Sequence, residues 1–302
     1  MSKDLSKHEK EQLANLESKL SHVRDVVRGI VKGFHTGMML WGSGGTSKSY
    51  SVLEELKALK ASHILHNSRI TARGLVDVLE RNPSIVHVIE DAESLMVDKN
   101  APGVLRSALW SQSRKLPKER EVTWTAFQTN IRFIFTGGVI VISNANFAES
   151  SPEIRAIKTR INVVHLDVSD EEIKALMKKI CLDGYTRGSH YLSPDECLEV
   201  REFIITRLTQ LKRPLDLRLL ITGFDDFLQW KTGNSHNHWQ LLIEGRMAER
   251  VVYVARSDRK AAEARLALEI HAMKLTYAEK VKLWHDKTGL SKAAYDRALK
   301  RK

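Results

Sequence analysis

The sequence predicts an α/β protein, with helices on both faces of a mainly parallel β-sheet, followed by an α-helical lid and a C-terminal helical extension. Short apolar runs alternate with helix-like segments from residue 37 to residue 167, an order typical of parallel sheets. These runs carry no charge until their ends, as buried parallel strands do. From Ser169 onward the pattern is helical, and capping boxes mark helix starts at Ser169, Ser193 and Thr276.

Composition favours a protein of the cell interior. The chain has 302 residues, of which 42% are hydrophobic and 28% charged, which is ordinary for a globular protein. No apolar run is long enough to span a membrane, and residues 1–10 lack the apolar segment of a signal peptide. With two cysteines, a disulfide framework and a zinc cluster are excluded, so we expect a cytoplasmic protein.

Positive charge is concentrated at the C-terminal end. The net charge is +11, and nine Lys and Arg face three Asp and Glu within residues 271–302. A basic end favours a polyanionic partner such as DNA. A solvated basic tail is the alternative.

The predicted elements follow in order. Residues 1–31 form an N-terminal helix whose apolar side chains recur every three or four positions, which predicts a packing face. Residues 32–168 form the α/β domain, with strands predicted at 38–41, 63–66, 85–89, 139–143 and 163–166. A β-hairpin is predicted within 120–138, with its turn at 128–130 and a basic loop at 113–120 before it.

The helical part divides at a polar break. Residues 169–232 form the lid, and residues 231–235 read as a linker. Residues 233–302 form the C-terminal region. Within it, two short helices joined by Thr288-Gly289-Leu290-Ser291 over 276–302 resemble a helix-turn-helix. A helical hairpin that packs on the remainder of the protein is the alternative.

A glycine-rich stretch lies between the first strand and the first helix of the α/β domain. Residues 42–49 read Gly-Ser-Gly-Gly-Thr-Ser-Lys-Ser, against the P-loop pattern G-x-x-x-x-G-K-[ST]. Ser47 stands where the pattern has its second glycine, and this position needs a backbone geometry that glycine adopts more easily. A strand, such a loop and a helix together predict a phosphate-binding site.

Several motifs together resemble the AAA+ ATPase superfamily, over about residues 30 to 230. The resemblance implies ATP and Mg²⁺ as cofactors, with Lys48 on the β- and γ-phosphates and Ser49 on Mg²⁺. The remaining phosphate contacts implied are Gly42, Gly44, Gly45, Thr46 and Ser47.

A carboxylate pair ends the third predicted strand. By the resemblance, Glu90 falls at the magnesium position and Asp91 at the position of the residue that polarises the attacking water. The family usually has Asp before Glu, so the order is reversed here. This reversal and Ser47 leave open whether ATP is hydrolysed or only bound.

Further positions are implied by the same resemblance. Asn144 falls at sensor 1, and Arg160 at the arginine finger that reaches the γ-phosphate of a neighbouring subunit, with Arg155 as the alternative. Arg218 falls at sensor 2, where a nucleotide phosphate or a structural carboxylate would serve as its partner. Asn67 falls at the position of a switch residue.

The leading hypothesis is an oligomeric, DNA-binding ATPase that acts in replication, transposition or another mobile-element process. The arginine finger implies a homo-oligomer, and the predicted DNA contacts are Lys292, Tyr295, Arg297, Lys300 and Arg301. The alternatives are a nucleotide-dependent protein remodeller with a protein partner, and a non-hydrolysing switch of assembly controlled by ATP. A metal site at His236 and His238, and base stacking by Trp124, Phe127, Phe133 and Phe135, are further alternatives. The simpler interpretation of the two histidines is a loop. The simpler interpretation of the aromatic residues is cross-strand packing.

Overall fold

The computed structural model describes residues 4–67, 70–92, 95, 98–110, 117–126, 129–144, 152–249, 256–273, 275–288 and 291–299. The chain divides into two compact units, residues 1–245 and 246–302, and each is considered by itself. Among the described residues, no helix is long and apolar enough to cross a membrane.

A five-stranded parallel sheet forms the centre of the first unit. Its strands are β1 (Gly37–Trp41), β2 (His63–His66), β3 (Val86–Ile89), β6 (Gly138–Ser143) and β7 (Asn162–His165). They lie in the order β2-β3-β6-β1-β7, and every pair in this sheet is parallel. The predicted strands and the fold class are therefore confirmed.

Helices cover both faces because alternate strand residues point in opposite directions. Met38 and Leu40 belong to one buried cluster, with α1 (Lys7–Val31) and α2 (Lys48–Ala58). Met39 belongs to the other, with α3 (Ala72–Arg81) and α4 (Ala101–Leu109). The apolar stripe predicted on the N-terminal helix is buried at Leu16, Leu20, Val23, Val27 and Ile30.

An antiparallel hairpin precedes the central strand β6, as predicted. It consists of β4 (Arg120–Ala126) and β5 (Thr129–Phe135). The predicted turn at 128–130 is wrong, because Thr129 and Asn130 pair with Ala126 and Thr125 as strand residues. Trp124 and Phe133 pack partly buried against the core and Phe135 is fully buried, which supports cross-strand packing over base stacking. Phe127 lies outside the described residues.

The lid is mainly helical, with one difference from the prediction. Its helices are α6 (Asp170–Leu182), α7 (Pro194–Gln210) and α8 (Leu217–Lys231), after α5 (Pro152–Lys158) and β7. A short hairpin of β8 (Tyr185–Arg187) and β9 (His190–Leu192) stands between α6 and α7 and was not predicted. Both cysteines are free thiols of this region, and burial raises their pKa to about 12.

The remaining helices follow the break at 232–238. They are α9 (Trp239–Glu249), α10 (Arg256–Ala272), α11 (Tyr277–Thr288) and α12 (Lys292–Leu299). In the second unit, α10, α11 and α12 pack around Trp284 and Tyr295, both fully buried. The predicted pair of short terminal helices is present, and Gly289 and Leu290 of the turn lie outside the described residues.

Candidate phosphate-binding site

The glycine-rich loop connects β1 to α2 and surrounds the ammonium group of Lys48. This lysine is buried, and its Nζ donates to the carbonyls of Gly42 at 2.9 Å and Ser43 at 2.6 Å. Nζ also donates to Asn144 Oδ1 at 3.1 Å. A buried cation needs oxygen partners, and these three hold the ammonium against the loop.

Two residues of the loop adopt left-handed backbone conformations. Ser47, immediately before α2, has φ 65° and ψ 17°, and Gly45 has φ 73°. The prediction that position 47 requires a glycine-like geometry is therefore confirmed, and a serine adopts it. At Gly45 an added Cβ would lie 2.3 Å from Asp216 Oδ1, so only glycine allows this approach.

The loop offers backbone donors to an anion. In the part of the chain that the structure describes, the N–H groups of residues 44–47 have no hydrogen-bond acceptor. The N-terminus of α8 also reaches the loop, because Leu217 N donates to Gly45 O at 3.4 Å. Helix N-termini carry partial positive charge, so α2 favours an anion at this place, whereas the N-terminus of α8 is already capped by the carboxylate of Asp216.

Polar residues at neighbouring strand ends share this edge of the sheet. β6 lies between β3 and β1, and Asn144 follows β6 while Glu90 and Asp91 follow β3. Carboxyl ends of parallel strands lie at one edge, so these residues lie at the same edge of the sheet as the loop. Asp91 is exposed and has φ 49°, whereas Glu90 is half-buried. The structure thus joins Lys48 to Asn144 and places Glu90 and Asp91 at the same edge of the sheet.

A histidine pair connects β2 and β3 directly behind the carboxylates. His66 Nε2 and His87 Nδ1 are 3.1 Å apart, and His87 Nε2 is 2.9 Å from Asn82 O. Since the carbonyl of Asn82 can only accept, Nε2 of neutral His87 carries the proton and its Nδ1 accepts from His66. The carbonyl of His66 accepts from Glu90 N at 2.9 Å. Burial lowers the pKa of both histidines.

Arg160 lies at the opposite edge of the sheet. It stands just before β7, whose first residue Asn162 pairs with Met38 near the start of β1. At about 3.3 Å per strand residue, this edge is roughly 13 Å from the loop. Arg160 therefore does not join the phosphate site of its own chain. Arg155, the alternative, is exposed on α5.

Arg218 begins α8 beside the loop, in surroundings that differ from those expected. Its apolar neighbours Leu217 and Leu219 point into the core, while Arg218 itself is exposed, so burial imposes no need for a partner. Its backbone N–H donates to Asp216 Oδ1 at 2.7 Å, which caps the helix.

The predicted magnesium ligands are compatible in chemistry with the metal. Ser49 and Glu90 offer the oxygen ligands that Mg²⁺ prefers, and phosphate oxygens commonly complete such sites. Within the described ranges, no group of three or more metal-ligating side chains is found. His238 instead packs on the rings of Trp230 and Trp239.

Burial places two residues of the predicted binding regions in the interior, one on the last helix and one in the basic loop. Tyr295 is fully buried beside Trp284, so it is a packing residue of the second unit and not a DNA contact. Arg120 of the basic loop is buried over the Phe135 ring and donates to Gly137 O, so it does not line a surface. Burial lowers the Arg120 pKa to about 10.

The other predicted DNA contacts divide between exposed and undescribed positions. Lys292 and Arg297 are exposed on α12. Lys300 and Arg301 lie outside the described residues, as does most of the 113–120 loop.

Sequence reasoning missed Asp216 as a residue of the site. An aspartate before an apolar helix predicts an N-cap. Its contact with the loop depends on how the lid folds back over the sheet, which no local pattern indicates.

Known proteins are similar to this chain in three-dimensional structure. No protein-family model matches the sequence, and no curated protein is similar to it at a significant level. A solved structure of Cdc6p from Pyrobaculum aerophilum is similar, with 16% identity and a TM-score of 0.49, over 95% of this chain and 85% of that one. Two structures of RuvB from Thermotoga maritima, one described as a Holliday junction branch migration motor, are similar at 13% identity. Their TM-scores are 0.40 and 0.39, and each match covers 92% of this chain and 82% of the other. At these values the similarity by itself indicates neither a reaction nor a partner.

Proposed function

We propose that this protein is an AAA+-type ATPase that acts as a homo-oligomer and binds DNA. One observation carries the proposal: Lys48 contacts Asn144 beneath a loop whose N–H groups have no acceptor among the described residues, with Glu90 and Asp91 at the same edge of the sheet and Arg160 at the other. A phosphate site at one edge and a cation at the other suit a reaction centre shared between two copies.

Each residue has a distinct role in this proposal. Bound ATP and Mg²⁺ supply the transferable γ-phosphoryl group and additional positive charge. Lys48 neutralises phosphate charge, and Ser49 and Glu90 hold the metal. Asp91 accepts a proton from the attacking water, which Asn144 orients.

Arg160 acts on the neighbouring copy. It cannot reach the loop of its own chain, so its guanidinium stabilises the phosphoryl charge of the adjacent subunit. Turnover therefore requires assembly, and the interface joins two different edges of the molecule.

DNA binding is assigned to the second unit. Lys292 and Arg297 are exposed on its last helix, and more than half of the net charge of the chain lies in residues 271–302. Phosphate contacts by such side chains supply affinity that does not depend on sequence.

The test is ATP turnover measured over a range of protein concentrations, with and without duplex DNA. We expect turnover per chain to rise steeply with concentration and to increase when DNA is added. Lys48→Ala should abolish nucleotide binding and turnover. Turnover per chain that is independent of concentration would contradict the shared site, and turnover indifferent to DNA would contradict the DNA-dependent activity.

A non-hydrolysing switch is the second candidate, favoured by one observation. Asp91, the proposed base, is exposed to solvent, so no surrounding core holds its carboxylate in a fixed orientation toward a water. In that case ATP binding would change the assembly state without turnover. Complete absence of turnover by the assembled wild-type protein would favour the switch over the ATPase.

A further inference from the structure

The ring of Trp110 lies against the guanidinium of Arg160 at the amino edge of the sheet. The guanidinium carbon is 5.3 Å from the ring centroid, within the range of a cation–π contact. Trp110 is 48% exposed and Arg160 is half-buried, so the contact lies at the surface of the protein.

Trp110 is held in place from the backbone side. It directly follows α4, and its N–H donates to Arg106 O at 3.1 Å. The buried hydroxyl of Thr36 donates to Leu109 O at 2.5 Å, which joins the end of α4 to the start of β1. The backbone that carries the ring is therefore held in place, and the ring has two rotatable bonds where an arginine side chain has several.

Arg160 keeps hydrogen-bonding capacity on this platform. Its Nη1 donates to Ala156 O, and its Nε is buried without a partner among the described residues. A guanidinium has five N–H donors arranged for phosphate oxygens. Among the described residues nothing accepts from Nη2, so this group remains for an acceptor brought from outside the chain.

The surrounding groove attracts an anion. It has a volume of about 680 Å³ between α4 and the β4–β5 hairpin, and Lys99 and Arg106 line it together with Trp110 and Arg160. The one carboxylate of its lining, Glu121, is paired with Arg132 at 2.8 Å. The groove is thus positively charged around the guanidinium.

We propose that Trp110 is a positioning residue, which holds Arg160 in the conformation that reaches the nucleotide phosphates of a neighbouring copy. The proposal rests on the proposed function, since it assigns the support of the same shared site. Without the ring, the guanidinium would sample other rotamers, and a displacement of about 1 Å at such a site can cost about 100-fold in rate.

The first measurement compares turnover by full-length variants at a concentration where the wild type is assembled. We expect Trp110→Ala to lower kcat by about 10- to 100-fold with little change in KM. Trp110→Phe keeps an aromatic face and should retain kcat within about threefold. Trp230→Ala is the matched control, because this tryptophan is also partly exposed but lies on α8 away from Arg160. An unchanged kcat for Trp110→Ala, with Arg160→Ala strongly impaired, would overturn the proposal and leave the shared site standing.

The second measurement separates positioning from misfolding. Trp110→Ala retains an intact loop, and Lys48→Ala retains an intact Arg160, so mixed oligomers of the two contain complete shared sites. We expect the mixture to hydrolyse ATP faster than the sum of its components. A mixture no faster than that sum would show damage within the Trp110→Ala chain itself and would overturn the proposal. If Arg160→Ala leaves turnover unchanged, the proposed function fails with it.

Discussion

Ser47 occupies a backbone conformation that usually belongs to glycine. For a residue with a Cβ the left-handed region costs roughly 1–2 kcal/mol, and the cost is borne where the loop enters α2. Strain of this kind is often kept at binding sites. The serine therefore keeps the backbone geometry of a P-loop, although the pattern has a glycine at this position.

Substitutions at position 47 should separate backbone strain from chemistry. We expect Ser47→Gly to keep ATP affinity or improve it by a few fold, because strain and a crowding Cβ are both removed. Ser47→Val, with a branched Cβ, should lower the free energy of unfolding by about 2 kcal/mol and weaken ATP binding. Denaturant unfolding and nucleotide titration measure both effects. Equal affinities for the two variants would show that loop strain does not govern binding.

Asp91 allows an unusually clean test of the proposed base. Asparagine tolerates the left-handed region as well as aspartate does, so Asp91→Asn should remove the charge and keep the backbone. General-base catalysis typically contributes 10²- to 10⁴-fold, so we expect turnover to fall by about 100-fold or more at unchanged ATP affinity. Turnover within threefold of the wild type would exclude Asp91 as the base.

Elements were predictable where a local pattern is strong. Burial on both faces gives the central strands β1, β3 and β6 mostly apolar runs, and the capping boxes at Ser169 and Ser193 form as expected. The β8–β9 hairpin was missed because each strand has only three residues and lies on the surface. Its signal was Gly188 between residues of high β-propensity, Tyr185 and Tyr191.

The contact between the lid and the loop predicts a change in ATP affinity. Asp216 caps α8 and places a carboxylate next to Gly45, where it opposes a bound phosphate. Asp216→Asn keeps an oxygen for the cap and removes the negative charge. We expect ATP to bind about 3- to 10-fold more tightly at low salt, with the difference shrinking as salt rises. Unchanged or weaker binding, measured by titration, would show that the carboxylate does not oppose the nucleotide.

The histidine pair between β2 and β3 predicts a loss of stability in mild acid. Burial lowers the pKa of His66, and for His87 burial outweighs the opposing hydrogen bond to Asn82. The folded state therefore binds fewer protons, so the stabilisation is complete above the unfolded value of about 6.5 and is lost as the pH falls below it. We expect the free energy of unfolding to drop by about 1 kcal/mol between pH 7.5 and 5.5.

His87→Gln provides the comparison. The amide can still donate to Asn82 O but does not titrate in this range. Denaturant unfolding of this variant should show a smaller drop over the same interval. The carboxylates of Glu9 and Glu172 do not confuse the test, because burial is outweighed by hydrogen bonds that hold their pKa values below 4.5. If the free energy of unfolding falls equally with pH in both proteins, the histidine pair is not the cause.

At the scale of the whole molecule, the sequence placed some site residues and not others. Glu90 and Asn144 could be assigned to one edge of the sheet because both follow parallel strands. The helix-turn-helix pattern has an apolar packing residue at the position of Tyr295, and its burial against α10 and α11 fits that position and not the predicted DNA contact. The support of Arg160 by Trp110 joins residues 50 positions apart, and no local pattern indicates such a contact.

Charge on the last helix should govern DNA affinity. Deletion of residues 276–302 would expose Ala267 and Ile270 of α10, so substitutions at exposed positions make the cleaner experiment. We expect Lys292→Glu with Arg297→Glu to weaken duplex binding at least tenfold and to reduce its salt dependence, while ATP binding is unchanged. Lys10→Glu with Lys57→Glu, at exposed positions of α1 and α2, makes the same change in net charge and is the control. Equal losses of DNA affinity in both proteins would indicate a general effect of net charge and would contradict a binding face on α12.

The opposite placement of Arg160 and the phosphate loop has a consequence for stoichiometry. When copies join edge to edge, an open row of n copies contains n − 1 completed centres, because the loop at one terminus meets no arginine. A closed ring completes all n. Maximal turnover per chain therefore distinguishes the two forms: it climbs gradually as an open row lengthens, and it reaches its plateau in one step when a ring closes.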